Sequence, residues 1–295
     1  MTGPAARPER IVDAHVHLSR LEQGHDEVLG AIKRAPAAAE VAALAHDVDA
    51  WLERMDHEGI WQTWLIHYDA PLTMGYGRDA YAWVPDFVAA APERLVGVGG
   101  FEPRAGAGDG ASAIDALLDG GLRALKIHPV HQHLDPGSHR NGTEAGARLQ
   151  AAYGRAEELR LPTIFHTGSS VFPRAENSFA GPAALAPVLE DFPDLPVILA
   201  HGGRPHATRD AVALLERFPN AYLELSGCPP QRLHDYFGDL APWADRTTWG
   251  TDWPGPKVPG MGANVEAFLA LGYPAEVNQK ILHDTSQRLL AGIRG

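Results

Sequence analysis

With 295 residues and 45% hydrophobic composition, the chain can bury one sizeable core and matches the usual length of an α/β barrel. Its formal charge of −12 argues against general nucleic-acid binding, which needs basic surface to neutralise phosphates. A single cysteine, Cys228, excludes an internal disulfide and a cysteine-rich zinc site, so any bound metal must be held by histidine and carboxylate. No apolar run approaches the ~18 residues of a membrane span, and the first ten residues do not resemble a signal peptide. No membrane partner is expected, and the expected location is cytoplasmic.

The first element is the apolar run IVDAHVHL at 11–18. Alternate side chains of a strand share a face, so in a strand His15 and His17 point the same way, at metal-ligand spacing. With 15 histidines in the chain, that spacing alone is weak. A second pair, His131 and His133, stands among Pro129, Asp135, Pro136 and Gly137, which oppose a strand, and reads as a loop pair. Further β-rich runs follow at 61–68, 95–102, 122–128, 162–167, 196–201, 221–226 and 247–252, making eight. Helical patterns at 41–56, 111–118, 143–159, 182–191 and 207–218 lie between them.

That alternation, without a low-complexity tract or long linker, predicts one (β/α)8 barrel domain over 1–295. An open doubly wound sheet is disfavoured, because Ser19, Arg20, Leu21 and Glu22 follow the first run in place of a glycine-rich dinucleotide fingerprint. Three segments, 19–36, 129–142 and 168–181, exceed a minimal turn and are expected to overhang the catalytic face.

Active sites of such barrels are assembled at the C-terminal ends of the strands. His15 and His17 end the first run, Lys126 and His128 the fourth, His166 the fifth, His201 the sixth and Asp252 the eighth. One such histidine alone is more often a hydrogen-bonded core residue; the joint placement is harder to dismiss. His15, His17, His166 and Asp252 make three imidazoles and one carboxylate, which suits one divalent ion, zinc foremost and manganese next, with a position left for water. His201 remains close by.

DAHVH at 13–17, IFHTG at 164–168, LAHGG at 199–203 and GTDWP at 250–254 resemble the motifs of the amidohydrolase superfamily, in the branch containing aminocarboxymuconate-semialdehyde decarboxylase. The resemblance runs from about residue 11 to 290; KILHDTSQRLL is similar to the branch's closing helix, with Thr285 and Ser286 where the family usually has Asn-Ala. It implies a metallo-dependent barrel, metal ligation by His15, His17, His166 and Asp252, and an acid/base or polarising role for His201. Other branches of the superfamily carry a carbamylated lysine on the fourth strand that bridges two metals. This branch is usually mononuclear, so Lys126 reads as a charge-paired lysine lining the pocket, with His128 on the same face to bind substrate or steady the next loop.

Arg174 and Arg204, in the loops after the fifth and sixth strands, are the expected carboxylate anchors, since guanidinium binds carboxylate with two parallel hydrogen bonds. Tyr68, Tyr76, Arg78 and above all Trp253 are expected to line an aromatic wall; Cys228 lacks an evident histidine partner for a nucleophilic role. These residues fit two chemistries, and the resemblance favours the commoner one of the superfamily: hydrolysis of a lactone, ester or amide bond in a small carboxylated substrate by a metal-activated water, with Asp252 taking the proton and His201 assisting. A non-oxidative decarboxylase is the alternative, and a non-catalytic metal-binding barrel the third reading. The partner is a small molecule, and a homodimer is an assembly open to the chain.

Overall fold

The computed structural model describes residues 7–20, 23–106, 108–256 and 258–294. Eight parallel strands follow one another around a single sheet in sequence order: β1 (Val12–Val16), β2 (Gln62–Ile66), β3 (Leu95–Gly100), β4 (Ala124–Ile127), β5 (Thr163–His166), β6 (Val197–Ala200), β7 (Ala221–Glu224) and β8 (Thr247–Thr248). Helices alternate with them, giving a (β/α)8 barrel. Each strand lies inside one of the expected runs, because strands buried on both faces need apolar residues almost continuously.

The barrel is closed between β8 and β1 by main-chain bonds from Ala14 to Trp249 (2.9 Å), Asp252 to His15 (2.8 Å) and His17 to Trp253 (2.8 Å). A side chain reinforces the seam: the buried Asp13 carboxylate accepts from the Thr251 amide at 2.9 Å and hydroxyl at 2.6 Å. Between Asp13 and Val16 the β1–β2 register slips by one residue. Val12 consequently packs with the inward residues Trp64, Val98 and Ile164, whereas Val16 joins the outer shell between strands and helices. This bulge is what turns His15 and His17 inward.

The outer layer departs locally from the expected helices. The stretch expected as one helix over 41–56 is two, Ala38–Leu44 and Val48–His57, because extended Asp47 interrupts it and caps the second through the Ala50 amide at 3.0 Å. Segment 19–36 holds an unexpected helix, Asp26–Lys33, while Leu21 and Glu22 lie outside the described residues. The His131/His133 pair is not in a strand, yet its surroundings are no open loop. Pro129–Gln132 form one helical turn, capped by His128 Nδ1 accepting from the His131 amide at 3.1 Å, and His131 is only 2% exposed.

Candidate active site

Six strand ends converge at the C-terminal mouth. His15 Nδ1 donates to Glu224 Oε2 at 2.8 Å, both side chains being fully buried, and Glu224 also accepts from the Ser226 amide and hydroxyl, each at 2.6 Å. That bond places the proton of neutral His15 on Nδ1 and leaves the Nε2 lone pair free. Nε2 is buried without a hydrogen-bond partner and lies 3.8 Å from Asp252 Oδ1. His17 repeats the arrangement: its Nδ1 faces the Ile66 carbonyl at 3.2 Å, and its Nε2 is 3.3 Å from the same carboxylate oxygen. Two imidazole lone pairs and a carboxylate facing one another are mutually repulsive unless a cation sits among them.

His201 completes the arrangement. Its Nδ1 donates to the Ser226 carbonyl at 2.9 Å, and its ring is 5.0 Å from that of His15. One ligand atom each from His15, His201 and Asp252 lie within 4.8 Å of one another. An imidazole and carboxylate donor set of this kind, with an orphaned buried nitrogen, fits a divalent transition ion. Both His201 (φ 66°) and Asp252 (φ 67°) hold left-handed backbone that non-glycine residues rarely adopt, strain of the sort found where side chains are aimed for function.

The expected ligand set is thus brought together in part. His15, His17 and Asp252 meet; His166 lies edge to face with His201 at 4.7 Å but donates Nε2–H to the Gly168 carbonyl at 3.0 Å, outside the converging trio. His166 stacks on His128 at 3.8 Å, and His128 on His131 at 3.6 Å. Burial, reinforced by the neighbouring positive charges of Lys126 and Arg204, pushes His15, His166 and His201 well below the usual imidazole range and keeps them neutral, as ligands must be. Burial raises Asp252, but the polar groups around it, the Arg204 guanidinium among them, outweigh it and hold the carboxylate below its ordinary value.

Lys126, 1% exposed, has no hydrogen-bond partner for its Nζ, and burial pushes its ammonium down despite the opposing charges of Glu224 and Asp252. Arg204 Nη2 stands 3.5 Å from Asp252 Oδ2. Gly227 makes room for that contact: a Cβ there would fall 2.3 Å from Arg204 Nη2 and 2.9 Å from Asp252 Oδ2. Arg174 behaves differently, being half exposed, donating to the Leu72 carbonyl at 3.1 Å and facing Glu27 at 3.6 Å across the rim.

Trp253 corrects the expected aromatic wall. Its indole, 3% exposed, packs outside the strands on Trp51 at 5.6 Å and under the Arg54 guanidinium at 5.4 Å, because the residue after an inward Asp252 points outward. Tyr68 does stand inside, its ring stacked on His128 at 4.8 Å and its hydroxyl 3.0 Å from His131 Nδ1, with Tyr76 beside it at 6.4 Å; Arg78 is exposed. The Cys228 thiol is held up at about 12 by burial and donates to the His201 carbonyl, so it is no nucleophile. Sequence reasoning missed Glu224, Ser226 and Asp13. Glu224 had a signal: it ends β7 as the histidines end their strands.

A model of the amidohydrolase family matches residues 12–291, almost the whole chain. The chain belongs to the amidohydrolase family. That family is one of enzymes, which sets aside the non-catalytic barrel. Solved structures share the fold of this amidohydrolase. An uncharacterised TIM-barrel protein from Bordetella bronchiseptica is 24% identical with a TM-score of 0.72, the match covering 96% of this chain and 99% of that one. A dihydroxybenzoic acid decarboxylase from a Polaromonas species, solved with manganese and the inhibitor 2-nitroresorcinol, is 17% identical with a TM-score of 0.69, covering 98% of each chain. A candidate 2-pyrone-4,6-dicarboxylic acid hydrolase from Pseudomonas putida is 17% identical with a TM-score of 0.60, covering 98% of this chain and all of that one. Among the described residues of this amidohydrolase no helix is long and apolar enough to cross a membrane.

Proposed function

We propose that this amidohydrolase is a metal-dependent hydrolase of a small carboxylated molecule, cleaving a lactone, ester or amide bond at the C-terminal mouth of the barrel. The observation that carries the reading is the convergence of His15, His201 and Asp252 within 4.8 Å, with the cations Lys126 and Arg204 beside them. His15 and Asp252 are the ligands on which motif and geometry agree; His17 flanks Asp252, and His201 or its neighbour His166 supplies the remaining imidazole. Zinc or manganese, when bound, supplies polarisation of a carbonyl and acidification of water.

The chain's own residues do the rest. Asp252, kept ionised by the groups around it, takes the proton from the attacking water. Glu224 and the Ser226 carbonyl fix the rings of His15 and His201 by their Nδ1 protons. Whichever of His201 and His166 is not a ligand is placed to relay the proton that Asp252 has taken on to the leaving group, ending the cycle neutral as it began. Lys126 and Arg204 bind and orient the substrate carboxylate, Lys126 gaining the anionic partner its buried ammonium lacks.

Decarboxylation is the second reading, favoured by one observation: two cations beside a strand-end carboxylate also fit a substrate whose own carboxylate is lost, as in the dihydroxybenzoic acid decarboxylase of like fold. The test is turnover of the zinc- and manganese-loaded enzyme on carboxylated lactones, aryl esters and amides, and on hydroxybenzoates. Acid release without CO2 supports hydrolysis; CO2 from a hydroxybenzoate, with no hydrolysis of the others, overturns it.

A further inference from the structure

At the opposite end of the barrel a cavity of about 350 Å³ is lined by Arg160, Pro196, Tyr222, Arg288, Leu289, Gly292 and Arg294. Three of these side chains are guanidiniums and none is acidic, in a chain whose formal charge is −12. Among the described residues the side chains of Arg160 and Arg294 have no hydrogen bond or ion pair, and that of Arg288 donates only to the main-chain carbonyl of Asp245. Elsewhere Arg7, Arg54, Arg94, Arg140 and Arg155 each hold a carboxylate. Asp284, one turn before Arg288, feels the charge of that guanidinium but takes its hydrogen bonds from Gln279 at 2.7 Å and His283 at 2.8 Å.

The backbone at Arg160 supplies an independent observation. Three helix-to-strand turns of this barrel share one hydrogen-bond pattern, in which the left-handed residue donates three residues back and its successor five. At Gly59 (φ 70°) the acceptors are Asp56 and Met55, at Gly121 (φ 79°) Leu118 and Leu117, and at Arg160 (φ 50°) Glu157 and Ala156. Glycine adopts this conformation freely and arginine does so at a cost. The costly residue stands where its side chain lines the cavity, and the Arg294 amide, bonded to the Leu159 carbonyl at 2.8 Å, brings the C-terminal segment and its own guanidinium alongside.

We propose that this cavity is a binding site for a small multivalent oxyanion, a phosphate or polycarboxylate, held by Arg160, Arg288 and Arg294 with the Tyr222 hydroxyl as a further donor. Guanidinium forks match the paired oxygens of such anions, and an occupant relieves the repulsion among three like charges. Pro196 immediately precedes β6 and Arg160 lies just before β5, so the site is at the N-terminal face, away from the residues at the strand C-termini, and its occupancy is read in stability.

Thermal melts of the full chain at constant ionic strength test this, comparing chloride with inorganic phosphate, pyrophosphate and citrate. The wild type is expected to show a saturable rise of a few degrees with phosphate or pyrophosphate, or with citrate if polycarboxylate is the preferred class. Arg160→Gly, which relieves the backbone, should keep or raise the melting temperature in chloride, Arg294→Gln, at an exposed position, should keep it, and both should lose the rise. No saturable rise in the wild type, or a rise retained in both variants, overturns the proposal and in the second case puts the anion elsewhere.

Discussion

His15 and Glu224 form a 2.8 Å hydrogen bond between two fully buried side chains, and that bond decides which nitrogen of His15 faces the mouth of the barrel. Glu224→Gln can still pair with His15 but no longer compels the Nδ1 tautomer. Metal affinity, measured by competition with a chromophoric chelator, is expected to fall about 10- to 100-fold with the fold intact. An unchanged affinity would show that Glu224 is only a packing partner.

Lys126→Met removes a buried ammonium that has no hydrogen-bond partner. The melting temperature should hold or rise, because the desolvated ammonium is removed without breaking a hydrogen bond, while Glu224 keeps His15 and Ser226 and Asp252 keeps Arg204. KM for a carboxylated substrate should rise about tenfold or more through loss of a charge-assisted contact. A KM that stays level would remove Lys126 from substrate binding.

Trp253→Ala separates a core tryptophan from a pocket wall. Its indole is buried against Trp51, so truncation should cost about 3–5 kcal/mol in denaturant unfolding. KM in the surviving folded fraction should barely move. A large KM change in a protein of normal stability would restore the wall.

Asp69 reports on the rim through pH. Burial pushes its carboxyl up to about 6, although the Tyr81 hydroxyl donates to it at 3.1 Å and pulls the other way. A folded pKa above the unfolded one near 3.9 gives a contribution that is full below that lower value and lost as pH rises through about 6. Asp69→Asn should therefore melt higher than the wild type at pH 8, by an amount on the order of 3 kcal/mol or less, and match it near pH 4. Equal melting temperatures at both pH values would contradict the assignment.

The barrel was legible because parallel strands buried on both faces show as apolar runs, and the site because its polar residues interrupt those runs at their ends. What was hidden depends on geometry that a linear pattern does not carry. The one-residue slip between Asp13 and Val16 reverses which side chains of β1 face inward, and nothing in DAHVH marks it. Glu224 sits in an alternation, AYLE, that equally suits an outward-facing glutamate. His201 and His166 end adjacent strands alike; only their ring orientations, one donating to Ser226 and the other to Gly168, set them apart.

The proposed chemistry stands on a divalent ion held by His15 and Asp252. The most direct measurement is anomalous diffraction from crystals grown with manganese or zinc. One peak is expected at about 2.0–2.2 Å from His15 Nε2 and from the Asp252 carboxylate, with His201 as a further nitrogen donor. A peak that engages His166 instead would exchange the roles of those two imidazoles and leave the claim standing. No peak at this position, or an ion held without His15 and Asp252, would contradict it.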